Sequence, residues 1–170
     1  MKMGSKWVEV TTLPEERWRE ARDLRLRGLQ TDSIAFGSAH EEEEKLPEAE
    51  WRRRTYNMLV ALSNDNKLIG TITYILGDRV KTRHIAHIYG VYVTSEFRGK
   101  GIGRKLLESA LERISKNEGI VKVQLTVNTK QDAAVKLYTD FDFVIVGRLA
   151  KELKVGDEYY DELVMEKMLR

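Results

Sequence analysis

The sequence predicts an α/β domain built on one mixed sheet, and three observations predict it. Apolar residues recur with alternating helical and two-residue periods along the chain. Turn-forming residues separate these segments, with no repeat, low-complexity tract or linker that would split the chain. The length, 170 residues and 19.7 kDa, suits one domain at a prior of about 150 residues each. A single domain over residues 1–170 is therefore expected.

The elements follow in order. Trp7-Val8-Glu9-Val10-Thr11 alternates and reads as a short strand. Thr12, with Glu15 three residues on, predicts a capping box. The helix it opens runs through Gln30, with Trp18, Ala21, Leu24, Leu26 and Leu29 approximating one face. Pro14 and Pro47 both precede helix-like segments, where proline suits a first turn. Residues 31–45 read as irregular and carry Glu41-Glu42-Glu43-Glu44. Residues 48–56 read as a second helix with Trp51 and Arg52-Arg53-Arg54.

Residues 57–63 and 67–76 predict a hairpin across the turn Asn64-Asp65-Asn66. Gly77-Asp78 is another turn. In the strand over 85–93, Ile85, His87, Tyr89, Val91 and Val93 are expected on one face and Ala86, Ile88, Gly90 and Tyr92 on the other. Gly90 inside this run suggests a bulge. Ile102, Leu106, Leu107, Ala110, Leu111 and Ile114 form a helical stripe, which Gly119 is expected to close in a left-handed cap. Val121, Val123, Leu125 and Val127 alternate as a strand, and residues 131–141 form a short helix. Residues 143–150 and 159–169 complete the order β-α-α-β-β-β-α-β-α-β-β.

Composition excludes several classes. With 42% hydrophobic and 33% charged residues the chain is globular rather than disordered. Lysine and arginine total 29 against 27 aspartate and glutamate, a balance that argues against a strongly basic nucleic-acid binder. The absence of cysteine excludes disulfides, cysteine metal sites, iron–sulfur clusters and an acyl-cysteine intermediate. No apolar run approaches the roughly 18 residues of a membrane-spanning helix. Met1-Lys2-Met3-Gly4-Ser5-Lys6 lacks the apolar stretch of a signal peptide, so a cytoplasmic location is the default expectation.

Chemistry concentrates in Arg98-Gly99-Lys100-Gly101-Ile102-Gly103, between a strand and the clearest helix. Glycines let the backbone approach a ligand, and the N–H groups of a helix's first turn favour an anion. Arg98, Lys100 and Arg104 add positive charge, so a diphosphate is the natural ligand. No stretch here supplies a G-x-x-x-x-G-K-[ST] phosphate loop. The pattern G-x-G-x-x-G fails from Gly99, where Arg104 holds the third glycine position, and from Gly101, where Leu106 does. The pattern [QR]-x-x-G-x-[GA] fits at Arg98, Gly101 and Gly103.

With that signature the sequence resembles the GNAT family, the GCN5-related N-acetyltransferases. Residues 91–103 resemble the family's strand, loop and helix in register. Asn128, Ala133 and Ala134, Leu137-Tyr138, Phe143 and Gly147 resemble its downstream pattern, over a span of about 7–168. Asp142 departs from it, since the family usually has glycine there; aspartate tolerates left-handed backbone better than most residues. The resemblance implies a mixed, mostly antiparallel sheet flanked by helices. It also implies transfer of an acetyl group from acetyl-CoA, as cosubstrate and without a metal, to a primary amine of a small molecule, polyamine or peptide. Residues 98–103 and Arg104 would hold the pyrophosphate, Val91, Tyr92 and Val93 the pantetheine arm, and Asn128 and Tyr138 would also meet the cofactor.

Without cysteine a thioester on the enzyme is excluded, and direct attack in a ternary complex remains. Such attack needs a base for the ammonium, an N–H donor for the oxyanion and an acid for the leaving thiolate. The resemblance assigns the acid to Tyr138 and places His87 where many relatives carry a glutamate base. Glu96 and Tyr89 are weaker candidates for the base, and Asn128 reads equally as a helix cap. The odd spacing of His84 and His87 puts them on opposite strand faces, so no zinc site is expected.

The acceptor is the least legible part. Ala35-Phe36-Gly37-Ser38 and the glutamates at 41–44 fall where the family walls its acceptor groove, and the acidic run either draws a cationic acceptor or is a solvated face. The alternative function is a non-catalytic acyl-CoA-binding or sensing module. A nucleic-acid reading would need Arg52, Arg53 and Arg54, which point different ways on a helix beside Glu43, Glu48 and Glu50. A homodimer is the assembly the resemblance suggests; no membrane partner is expected.

Overall fold

Seven strands form one sheet in the order β1-β2-β3-β4-β5-β7-β6 in a computed structural model that describes residues 8–170. The elements are β1 (Glu9–Thr12), α1 (Trp18–Thr31), α2 (His40–Glu43), α3 (Glu48–Arg54), β2 (Met58–Leu62), β3 (Leu68–Leu76), β4 (Ile85–Val93), α4 (Ile102–Ser115), β5 (Lys122–Asn128), α5 (Asp132–Asp140), β6 (Val144–Val155) and β7 (Glu158–Met168). Every neighbouring pair is antiparallel except β4 and β5, which is the mixed, mostly antiparallel sheet expected. Trp7, the expected start of the first strand, lies outside the described residues, as do residues 1–6. Among the described residues no helix is long and apolar enough to cross a membrane.

The helical stripe of α4 packs on one face of the sheet. Ile102, Leu106, Leu107, Ala110 and Ile114 are buried there with Leu59, Ala61, Ile72, Ala86 and Ile88. Each large apolar side chain so buried contributes about 1.5–3 kcal/mol before entropy is counted. The opposite face takes Ala21 of α1 against Met58, Val60 and Leu62, so β2 is buried on both sides.

Four local readings are corrected. The capping box does not form: Thr12 stays in β1, paired with Leu59, and α1 starts only at Trp18, after a 3₁₀ turn over Glu15–Arg17. A backbone held in the ladder cannot also flank a helix. Gly119 does not take a left-handed conformation; α4 ends at Ser115, and the Asn117 side chain accepts from the Gly119 N–H at 3.0 Å. Residues 31–45 are not wholly irregular, since they contain a 3₁₀ turn at Ser33–Ala35 and the single turn of α2. His84 precedes β4, so its relation to His87 is not one of opposite strand faces.

The expected bulge is present, and it overturns the expected faces of β4. Thr71 pairs with Tyr92 and Thr73 with Tyr89, so Gly90 and Val91 share a single opposing position. Gly90 has φ +58°. The extra residue inverts the alternation. Ala86 and Ile88 face α4 before the bulge, and Val91 and Val93 pack on that side after it. Tyr92 turns instead to Leu24, Leu29 and Phe36 on the α1 side.

Candidate active site

The bulge separates two strands. β4 and β5 pair only at Ile85↔Lys122, Ala86↔Val123 and His87↔Gln124, although β4 runs to Val93 and β5 to Asn128. Beyond His87 the β5-facing edge of β4 has no strand partner, so its N–H and C=O groups are open to a ligand. A cleft of about 440 Å³ is lined by Val91, Tyr92 and Val93, the glycine loop, Gln131 and Leu137. A second, of about 510 Å³, lies among Arg25, Phe36, Trp51, Tyr89, Gly90 and Glu162. Ala35 lines both.

The glycine loop is built for an anion. Gly99 and Gly101 have φ +72° and +79°, a backbone that favours glycine. A Cβ at either would meet nothing within 4 Å, so conformation rather than space calls for glycine. Gly103 has no positive φ, and a Cβ there would stand 3.5 Å from Leu137 Cδ2, an ordinary contact. That explains why alanine can replace it in the signature. Among the described residues the amides from Gly99 to Arg104 have no main-chain acceptor; the first helical bond runs from the Lys105 N–H to the Gly101 carbonyl at 3.1 Å. Six unclaimed amides at the start of a 14-residue helix suit a diphosphate.

The loop's cations are anchors. Arg98 donates from Nε to the Val93 carbonyl at 2.9 Å and from Nη2 to Asp32 at 2.7 Å. Lys100 donates to the Glu96 carbonyl at 3.2 Å, and Arg104 to Asp140 at 2.9 Å. Arg98 thus ties the loop to the end of β4 and to the residue after α1.

Tyr138 is 6% exposed, and its ring meets Phe143 edge-on at 5.8 Å. Its hydroxyl has no protein hydrogen-bond partner among the described residues, yet it is not one of the fully enclosed polar atoms. The ring is therefore held in the core, and Tyr138 lines neither cleft. Burial pushes the phenol above its ordinary value, which keeps it protonated. Asn128 does not line the cofactor cleft. Its amide donates to the Ile34 carbonyl at 3.0 Å and its oxygen accepts from the Lys130 N–H at 2.9 Å, so both polar ends are structural.

The structure does not bring His87 into either cleft. It sits at the last β4–β5 pair, its ring stacked 6.1 Å from that of Tyr89. Glu96 is held at about 2 by its bond from Arg27, outside both clefts, whereas Tyr89 lines the larger one. A residue the sequence reading missed is Glu162 on β7, which lines the larger cleft half-buried. Burial pushes its carboxyl above the ordinary value, Glu152 adds to that, and the Thr126 hydroxyl opposes it. Only the pairing of β7 beside β5, with Glu162 opposite Asn128, carries it there.

Glu43 turns inward from the acidic run and is 4% exposed. Arg25 donates to it from Nε at 2.9 Å and Nη2 at 2.8 Å, and Arg54 Nη1 lies 3.1 Å away. Arg54 also reaches Glu50 at 3.0 Å, and Arg53 binds the same Glu50 oxygen at 2.8 Å. Glu41 and Glu42 remain exposed.

The Acetyltransferase (GNAT) family profile matches residues 16–143. The chain belongs to this family. Its GNAT fold is similar to an acetyltransferase of the GNAT family from Streptococcus pneumoniae, with a TM-score of 0.83 and 25% identity over 96% of this chain and 99% of that one. A GNAT-like structure from Salmonella typhimurium, described with its cofactor acetyl-CoA, superposes with a TM-score of 0.79 at 14% identity, covering 96% and 94%. Among characterised sequences the chain is similar to the L-amino acid N-acetyltransferase AaaT of Escherichia coli, 26% identical over 104 residues, or 61% of this chain and 64% of that protein. The chain spans less than two thirds of the length of the curated relatives it matches. Within this GNAT chain, Asp142 takes φ +64° at the position where the family usually has glycine, so the turn is kept.

Proposed function

We propose that this GNAT protein is an acetyl-CoA-dependent N-acetyltransferase that acts on a primary amine in a ternary complex. The parting of β4 and β5 carries the reading, with an anion-binding loop on one side and a carboxyl-bearing cleft on the other. Family membership supports it. The amides from Gly99 to Arg104 would take the pyrophosphate, and the open edge of β4 at Val91 and Val93 would take the pantetheine amides. Acetyl-CoA supplies the acetyl group as a thioester.

The chain's own residues supply the proton chemistry. Glu162 takes a proton from the acceptor ammonium, directly or through a water, and its raised pKa makes it a stronger base than an ordinary carboxylate. Main-chain N–H groups beside the bulge offer hydrogen bonds to the carbonyl oxygen as charge builds on it. Tyr138 gives its hydroxyl proton to the departing sulfur. Glu162 thus replaces His87 as the base, because it lines the acceptor cleft and His87 does not.

Thiol release from acetyl-CoA in the presence of amines tests the reading. Amine-dependent release is expected. Tight acetyl-CoA binding with no release for any amine would leave an acyl-CoA-binding module instead. The same reading expects a homodimer through edge strand β6, where Val144, Ile145 and Val146 are each more than half exposed. Light scattering at the mass of a monomer would refute that assembly.

A further inference from the structure

We infer that the acceptor carries a carboxylate beside its amine, and that Arg25 and Arg54 hold it. The inference rests on the transfer reading above and names its substrate class. Three arginines, Arg25, Arg53 and Arg54, face two carboxylates, Glu43 and Glu50, on one wall of the larger cleft. Both carboxylates are held at about 2 and stay ionised, and Glu162 brings the lining of this cleft to three arginines and three carboxylates. An anion is favoured by the donors these pairs leave over.

The unclaimed donors point the same way. Arg25 spends Nε and Nη2 on Glu43, which leaves Nη1 without an acceptor among the described residues. That nitrogen stands 3.5 Å from where a Cβ on Gly90 would lie, at the bulge where the strands part. Arg54 spends Nε on Glu50 and Nη1 on Glu43, leaving Nη2. Each of these lacks an acceptor, and a carboxylate supplies two acceptor oxygens.

Glu162 lines the same cleft and takes the amine, so acid and amine belong to one small molecule. An α-amino acid carries both groups on one carbon, and Met58 offers apolar surface to its side chain. Glu43 is a positioning residue: it fixes both guanidinium groups without touching the acceptor.

The test compares a panel of L-amino acids, each beside its amide, with spermidine as the cationic control. Thiol release is measured on wild type, Arg25→Met and Arg25→Lys. Acids are expected to exceed their amides by about 10–100-fold in kcat/KM, the value of a charge-assisted hydrogen bond. Arg25→Met should erase that preference by slowing the acids alone, and Arg25→Lys should keep part of it. Preference for amides or spermidine, or equal loss on both members of each pair, overturns the inference. Arg54→Met is the second variant, and a thermal shift with CoA reports folding of each. Calorimetry on CoA-saturated protein then compares N-acetyl amino acids with their amides. Carboxylate-selective binding that either variant abolishes supports the clamp even if no thiol is released, in which case the transfer reading alone fails. Equal binding of both forms, or of neither, overturns the clamp.

Discussion

The Thr71 hydroxyl donates to the Gly90 carbonyl at 3.1 Å, across the one point where β3 and β4 lose register. This bond braces the bulge from the strand that stays regular. It leaves the other edge of β4 open toward the parted β5, where the cofactor is proposed to bind.

Gly90→Ala should disturb this edge through strain. A Cβ would make only ordinary contacts, 3.5 Å to Arg25 and 3.9 Å to Thr73, but φ +58° costs an L-residue about 1–2 kcal/mol. A fall in Tm of about 2–6 °C is expected. A larger proportional loss in kcat/KM than in stability should accompany it, read from melts and thiol release on the same preparation.

Arg98 acts by anchoring the glycine loop, so Asp32→Asn and Arg98→Met should behave alike. The Arg98 side chain is 45% exposed, which limits the stability loss to about 1 kcal/mol or less. Acetyl-CoA affinity should fall about tenfold in both, measured by calorimetry. Loss in Arg98→Met with full affinity in Asp32→Asn would mean that the guanidinium binds phosphate directly.

Tyr138→Phe removes a hydroxyl with no protein partner and leaves the ring in the core. Stability and acetyl-CoA affinity should stay near wild type while kcat drops about 10²-fold or more. Since burial raises the phenol, wild-type activity should show no loss of this acid as pH rises through 10. An unchanged kcat would assign Tyr138 to packing.

Glu162 predicts an acid limb in the pH profile. Its folded pKa is raised, so activity should rise with pH through a value above the ordinary 4.5 of glutamate. Glu162→Gln should abolish that limb with a rate loss of about 10²-fold. The stability sign is the reverse. A raised folded pKa favours the protonated form, so stability is lost as pH rises through it, and Glu162→Gln should melt higher than wild type at neutral pH.

Glu43 titrates the other way. Arg25 and Arg54 overcome the cost of burial and lower its carboxyl from 4.5 to about 2. Its contribution is present above 4.5 and lost as pH falls toward 2, so acid melts should steepen over that window. Glu43→Gln should cost about 2–3 kcal/mol at neutral pH, the low end for a broken buried pair because both arginines keep contact with water. That loss should vanish at the acid end of the series.

Much of this molecule was legible in one dimension because the relevant signals are local. The alternation of 121–127 and the stripe from Ile102 to Ile114 each bury one face, and the structure buries those faces. Gly90, Gly99 and Gly101 stand where the chain takes positive φ, a demand that glycine meets without strain. The capping box failed because Thr12 had a stronger claim from Leu59 across the ladder, a partner 47 positions away.

By itself the sequence determined the family, the sheet-and-helix order, the glycine loop and the bulge. Each of these rests on contacts or conformations within a few residues of chain. Only the tertiary structure decided which face β4 shows beyond Gly90, that His87 stays outside the larger cleft, and that Glu162 lines it. It also decided that Glu43 is sealed against Arg25 and Arg54 rather than displayed to a cation. These outcomes depend on groups brought together from separate elements of the chain, where burial and charge are set by neighbours that sequence spacing does not encode.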